Sequence, residues 1–376
     1  MLNVGILGTG MISEGFMEAV KFVPSMKVSA ILSRDLEKGK AFAFKYTIEK
    51  TYNEIDLLLK DKDIDIIYIG LPNSLHYEMA LKALQAKKHV IVEKPFTSNM
   101  KEFISLIEAS VTHKAQIFEM NRVLHLPNFH VLKEHIKDIA PIRLVTINFC
   151  KYSRKYDDYL AGKDPNVFSD EFSGGALVDL GVYGVHLVSA LFGAPQEINY
   201  VASKLPNTID SSGILTMSYE GMICTCIQSK NSKSDPKIVI QGEKGSLIVN
   251  SVSGLLENVE LDQATKTNIG LKQESDGMAY TLKEIARIIE EKDEKAYLLE
   301  LDHIQTVMSI LDEARASAGI VFKADLKKKK HWFSKKEKAP KVKKEARPKK
   351  EPKVKKAPKP KKEKKTKDKK VNKSQS

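Results

Sequence analysis

Leu2-Asn3-Val4-Gly5-Ile6-Leu7-Gly8-Thr9-Gly10-Met11-Ile12-Ser13 is the stretch on which the fold turns. A short apolar run leads into two glycines spaced by one residue, and a helical pattern continues to about position 22. This is a G-x-G-x-x-S variant of the dinucleotide fingerprint, in the strand-then-helix context that gives the fingerprint its meaning. The first glycine allows the tight turn. The second lets the backbone approach a pyrophosphate, which then rests on the amides that open the helix. Gly8, Thr9, Gly10, Met11 and Ile12 are therefore candidate cofactor-binding residues. Ser13 stands in for the usual third Gly or Ala and is small enough to keep the helix against the strand.

Outward from this turn the pattern alternates. Residues 28–32, 64–70, 89–92 and 116–120 read as strands, and 35–44, 53–59, 74–86 and 99–111 read as helices. Strands without polar alternation are buried on both faces, which predicts a parallel sheet covered by helices on both sides. Residues 1–122 are expected to form a doubly wound α/β dinucleotide-binding domain. At the end of the second strand, Ser33-Arg34-Asp35 bears on cofactor choice. Hydroxyl and guanidinium together suit the phosphate of NADP, whereas a carboxylate nearby suits the ribose of NAD. Ser33 and Arg34 favour NADP(H), and Asp35 keeps NAD(H) open. Ser33 or Asp35 capping the next helix is the plainer reading of the same residues.

A second signal is Glu93-Lys94-Pro95, which ends the apolar run 89–92. Proline fixes its own backbone and holds the residue before it extended, so Lys94 stays at the strand end. There it faces the crevice where parallel sheets bind ligands, a candidate acid or carbonyl polariser.

After Pro141 the pattern changes to short, turn-bounded strands at about 143–152, 198–202, 214–219, 223–228, 238–241 and 247–249. These predict a mostly antiparallel open sheet in an α+β domain over 123–326. Gly242-Glu243-Lys244-Gly245 fits a hairpin loop, and 156–173 reads as a polar loop. Helical patterns follow at about 280–291 and 299–318. Between Gly175 and Gly193 an apolar, glycine-rich helix carries Asp179, Tyr183 and His186 on one stripe. Burying these three groups is costly unless each has a partner. Gly181 and Gly184 leave the adjacent surface bare, as a bulky ligand would require. A core polar network would account for the stripe equally well.

Gly8-Thr9-Gly10, Leu71-Pro72-Asn73-Ser74-Leu75-His76, Glu93-Lys94-Pro95 and Asp179-Leu180-Gly181-Val182-Tyr183 occur in this order. Together they resemble the glucose–fructose oxidoreductase / inositol dehydrogenase family (Gfo/Idh/MocA) over about residues 1–325. The resemblance implies a nicotinamide cofactor across the end of the parallel sheet and a substrate between it and the second sheet. It puts Leu71, Pro72, Asn73 and His76 on the nicotinamide side, and Glu93 with Lys94 at the cofactor. It assigns Lys94 and Asp179 to the active site. Many relatives have histidine where this chain has Tyr183. Tyrosine there resembles the branch of dimeric dihydrodiol dehydrogenases and some pentose dehydrogenases, where it is the proposed proton donor and NADP is common. The implied reaction passes a hydride between the cofactor and a carbinol or carbonyl carbon of a sugar-like or vicinal-diol substrate. Tyr183 is the acid/base, a neighbouring Lys94 favours its phenolate, and Asp179 orients substrate or lysine. Arg122, Tyr152 and His186 are further substrate candidates.

Three cysteines without zinc-like spacing fit a reducing compartment and give no reason to expect a metal. No apolar run reaches about 18 residues, so a cytoplasmic protein is expected. Residues 327–376 hold 25 Lys/Arg and 5 Asp/Glu, a net of +20 against −7 for the remainder. With five prolines and few apolar residues, this segment is expected to be a disordered basic tail. An anionic membrane or nucleic acid would attract it, as would other polyanions. A cofactor-binding scaffold docked by that tail is the alternative to an enzyme. An exposed face on the second sheet needs covering, so a homodimer or homotetramer is expected.

Overall fold

The computed structural model describes residues 1–274 and 277–326; the tail expected at 327–376 lies outside them. The first half runs β1 (Leu2–Leu7), α1 (Met11–Val20), β2 (Met26–Leu32), α2 (Leu36–Tyr46), β3 (Lys50–Tyr52), α3 (Ile55–Lys60), β4 (Ile66–Ile69), α4 (His76–Gln85), β5 (His89–Glu93), α5 (Met100–His113) and β6 (Ile117–Met120). The six strands pair in parallel in the order β3-β2-β1-β4-β5-β6. That order is the doubly wound one, with its switch point between β1 and β4. The central strands are apolar because both their faces are covered: Ile66, Ile67, Tyr68 and Ile69 are all fully buried.

The second half runs α6 (Pro127–Ile139), β7 (Ile142–Cys150), α7 (Arg154–Leu160), α8 (Val182–Phe192), β8 (Glu197–Lys204), β9 (Asp210–Tyr219), β10 (Met222–Ser229), β11 (Lys237–Gly242), β12 (Gly245–Val249), β13 (Val259–Asp262), β14 (Lys266–Asn268), α9 (Met278–Glu291) and α10 (Glu294–Ala318). Its eight strands form one sheet, β14-β13-β12-β11-β7-β10-β9-β8. All neighbours are antiparallel except β7 and β10, which pair in parallel at its centre. β11 and β12 are joined through Glu243-Lys244, the expected hairpin. One sheet face carries Val145, Ile147, Leu215, Met217, Cys224, Cys226, Ile238 and Ile240, all buried. The other shows Leu144, Val201, Ile214 and Ile223 exposed.

α6, whose 13 residues are largely polar, and the short strands β3, β13 and β14 add to the elements expected from the sequence. The segment 156–173 is not loop throughout: α7 occupies its start, capped where Ser153 accepts from the Lys155 amide. The packing of α9 bears on the boundary expected near 122. α9 was expected to belong with the second domain. Instead Met278, Ala279, Leu282 and Ile285 share a core with Val4, Ile6, Phe16 and Phe118. The first sheet is therefore sealed by a helix from the far end of the chain.

Candidate active site

The dinucleotide turn has the geometry its glycines foretell. Gly8 has φ +104°, and a Cβ there would lie 3.0 Å from the Gly70 carbonyl oxygen. At Gly10 a Cβ would meet nothing within 4 Å. The backbone before α1 thus faces open space, and Met11 beside it is 88% exposed. Ser13 is fully buried, and a Cβ on Gly70 would come within 3.0 Å of its Oγ, so helix and strand do touch here. An open cradle at a helix N-terminus fits a pyrophosphate. At the end of β2, Ser33 is buried under α2 and Arg34 is exposed. Asp35 caps α2, accepting from the Lys38 amide at 3.2 Å, and that bond holds its carboxyl below the ordinary range. The carboxylate that kept NAD open is therefore already engaged.

The catalytic candidates converge across the two halves of the chain. Lys94 follows β5, joined to Pro95 by a cis peptide bond. Its Nζ donates to Asp179 Oδ1 at 2.9 Å and to the Asp179 backbone carbonyl at 2.8 Å. It also lies 5.0 Å from the centroid of the Tyr183 ring. Asp179 sits in a π-helical turn, Leu177–Gly181, that runs directly into α8. Such one-turn widenings recur at functional sites because they re-aim side chains and carbonyls. Burial alone would push the Lys94 ammonium down, but the Asp179 carboxylate overrides it and holds it above the usual lysine value. Burial would likewise raise Asp179; Lys94 and Lys230 outweigh it and keep the carboxyl well below its ordinary range. The Tyr183 ring is backed by Phe149, 6.1 Å between centroids, and by Gly254, where a Cβ would come within 3.1 Å of the ring.

Lys230, just beyond β10, was not singled out from the sequence. Its ammonium bonds the second oxygen of Asp179, and its side chain is 6% exposed. In the sequence it sits in Ser229-Lys230-Asn231-Ser232, which reads as a polar turn. Only the helix-on-sheet packing brings it to Asp179.

Several candidates lie elsewhere. His76 is fully buried, with Nδ1 and Nε2 each 2.9 Å from a carbonyl, those of Pro95 and Leu71. It ties the Leu71-Pro72 and Lys94-Pro95 loops together rather than facing the crevice, and burial pushes its pKa down. Glu93 turns inward and accepts from the Tyr68 hydroxyl at 2.8 Å; burial raises its carboxyl, and the nearby Arg122 charge acts against that. Arg122 thus acts on the Glu93–Tyr68 pair. Asn73 donates to the Ser173 carbonyl at 2.9 Å, linking the two halves. Tyr152 is 41% exposed and donates to Asp157 at 2.6 Å.

His186 is a core histidine: the Asn121 amide donates to its Nδ1 at 2.8 Å, and its Nε2 faces Glu119 at 3.1 Å. The stripe splits, because the π-helical turn offsets Asp179 from α8 while His186 points into the core. The glycines between them serve packing and leave no room for a ligand. A Cβ on Gly184 would stand 2.9 Å from Cys226 Sγ, and one on Gly181 3.1 Å from the Gln228 side chain. The described cysteines are free, and no group of three or more His, Cys, Asp or Glu among the described residues is placed to hold a metal.

A doubly wound dinucleotide domain whose β5 leads into Lys94, set against Asp179 and Tyr183 of the π-helical turn and α8, defines a nicotinamide-nucleotide-dependent oxidoreductase. Residues 2–120 match the oxidoreductase family with NAD-binding Rossmann fold, and residues 132–248 match the GFO/IDH/MocA C-terminal domain. The chain belongs to the Gfo/Idh/MocA family. It is 32% identical over 327 residues to the scyllo-inositol 2-dehydrogenase (NADP(+)) IolU of Bacillus subtilis, covering 86% of this chain and 99% of that one. It is 28% identical over 333 residues to the trans-1,2-dihydrobenzene-1,2-diol dehydrogenase of Xenopus tropicalis, covering 85% and 98%. Among solved structures, the 3-ketoreductase KijD10 of Actinomadura kijaniata superposes with a TM-score of 0.75 at 22% identity, over 84% of this chain and 97% of that chain. That likeness bears on the fold alone.

Proposed function

We propose that the chain is an NADP-dependent dehydrogenase of cyclic polyols or vicinal diols, with Tyr183 as acid/base and Lys94 beside it. The observation that carries this reading is the convergence of Lys94 Nζ on Asp179 and on the Tyr183 ring. Gly8, Thr9, Gly10, Met11 and Ile12 would hold the pyrophosphate of the dinucleotide, and Ser33 with Arg34 would hold its 2′-phosphate. When bound, the nicotinamide supplies a hydride acceptor or donor at C4. The protein moves the proton. In the oxidising direction Tyr183 takes it from the carbinol hydroxyl, while the Lys94 ammonium stabilises the charge that gathers on oxygen. In the reducing direction Tyr183 returns it. Asp179 fixes Lys94 and retains exposed carboxylate surface for a neighbouring hydroxyl, at 30% side-chain exposure. A vicinal hydroxyl is what polyols and diols offer, and both relatives named above act on such compounds by name.

NADPH and NADH titrations followed by nicotinamide fluorescence test the cofactor, and NADP+ turnover with scyllo-inositol, myo-inositol and trans-1,2-cyclohexanediol tests the substrate class. Tyr183→Phe is expected to lower kcat by about 10²–10⁴-fold with NADPH affinity unchanged. Retained turnover in Tyr183→Phe, or tighter NADH than NADPH binding, overturns the corresponding half of the reading.

We further read the exposed face of the large sheet as a homodimer surface. Leu144 and Ile223 are register partners on that face, as are Val201, Ile214 and Ile227. A cytoplasmic setting suits the free thiols. No helix among the described residues is long and apolar enough to cross a membrane.

A further inference from the structure

Asp179 is shared. Lys94 holds Oδ1 and the backbone carbonyl of the same residue, and Lys230 holds Oδ2. Two ammoniums on one carboxylate leave the cluster with an excess of one positive charge, and both lysine side chains are largely buried, where charge is less screened than at the surface. Of the groups on the surrounding elements, Glu93 acts on Lys94 through space, and the others face different neighbours. Glu93 at the end of β5 accepts from the Tyr68 hydroxyl, and Glu119 on β6 faces His186 of α8. Asp210 on β9 accepts from the Tyr200 hydroxyl and the Leu177 amide. Arg122 acts on Glu93, and Lys151 after β7 is exposed. Lys230 is itself built in: its amide donates to the Ser211 carbonyl at 2.8 Å, and its Nζ lies 6.0 Å from the Phe168 ring centroid.

We propose that Lys230 is a positioning residue of the hydride-transfer site: by occupying the second oxygen of Asp179 it leaves the Lys94 ammonium only partly neutralised, and so available to the reacting oxygen at Tyr183. A single Lys94–Asp179 pair would be neutral overall and would offer little field to that oxygen. With Lys230 in place Asp179 is pinned from both sides. Its carboxylate then keeps one orientation, and the surplus charge falls on the Tyr183 side, where Lys94 lies over the ring. Lys230 acts through Asp179 and does not touch the substrate.

This inference rests on the dehydrogenase reading above, and the two fail separately. Lys230→Met keeps length and apolar stem while removing the charge; Lys230→Arg keeps the charge. Each is compared with wild type and Tyr183→Phe for kcat, KM and the pH–rate profile of NADP+-dependent oxidation of scyllo-inositol, or of a vicinal diol that turns over faster. NADPH affinity and melting temperature are recorded alongside. Lys230→Met is expected to lose about 10–100-fold in kcat with little change in KM, and its profile to move about one unit to higher pH. The midpoint for Lys230→Arg stays nearer wild type. A Met variant with wild-type kcat and midpoint overturns the inference, as does one that loses NADPH binding or melting temperature in step with kcat, which would assign Lys230 to the fold. If Tyr183→Phe retains turnover, the dehydrogenase reading itself falls; if only Lys230→Met does, that reading stands.

Discussion

At Gly10 a Cβ would meet no protein atom, whereas at Gly8 it would press on the Gly70 carbonyl in a backbone region that side chains avoid. Gly10→Ala is therefore expected to melt like wild type and to bind NADPH at least about tenfold more weakly, since the new methyl occupies space meant for pyrophosphate. Gly8→Ala is expected to cost stability itself, about 1–3 kcal/mol in denaturant titrations. Gly254→Ala would set a methyl 3.1 Å from the Tyr183 ring, and its signature is a lower kcat with intact NADPH binding. The convergence of Lys94, Asp179 and Tyr183 was legible because rare chemistry stood in apolar surroundings: a lysine closing a buried strand, an acid and a phenol in a glycine-rich helix. Lys230 was not, because a lysine among serines reads as solvated until β9 and the π-helical turn close over it. His76 and His186 show the converse. A histidine beside a motif looks like a ligand, and the carbonyls and the Glu119 carboxylate around these two rings come from the fold.

The π-helical turn and α8 form one element with two duties. The turn re-aims Asp179 at the two lysines, while α8 lies on the sheet through Gly184, which packs on Cys226 and Ile147. Gly184→Ala is expected to destabilise by about 1–3 kcal/mol through overpacking. Because the nearest atom is Cys226 Sγ, adding Cys226→Ala should recover part of that loss, a coupling readable in a double-mutant cycle. Strands β1, β4, β5 and β6 could be read from the sequence because burial on both faces leaves continuous apolar runs. The parallel β7–β10 pairing could not, since alternation along a strand is the same whichever way its neighbour runs. Nor does composition mark a π-helical turn, which differs from an α-helical one by a single residue per turn.

Across the whole molecule, acid sensitivity and assembly are the measurable consequences. Burial, then the neighbouring His186 and His125, push His303 down from 6.5 to about 3. Neutral in the folded state, it takes up a proton in the unfolded chain below about pH 6.5, so the unfolded state binds more protons and stability falls as pH drops from there toward 3. Urea titrations between pH 6.5 and 4 should show wild type losing about 1 kcal/mol per pH unit more than His303→Gln. For assembly, Ile223→Glu places a charge in the middle of the exposed sheet face and is expected to shift a dimer to monomer in light scattering, with melting of the monomer little changed.

The return of α9 to the first sheet sets a timetable for synthesis. Its partners Val4, Ile6 and Phe16 leave the ribosome early, yet Met278, Leu282 and Ile285 follow β6 by roughly 150 residues, or about 8–30 s of translation at ordinary rates. Throughout that interval the cofactor half has one apolar flank uncovered. A nascent chain of this kind is an obvious client for a chaperone that shields hydrophobic surface until the last helices arrive.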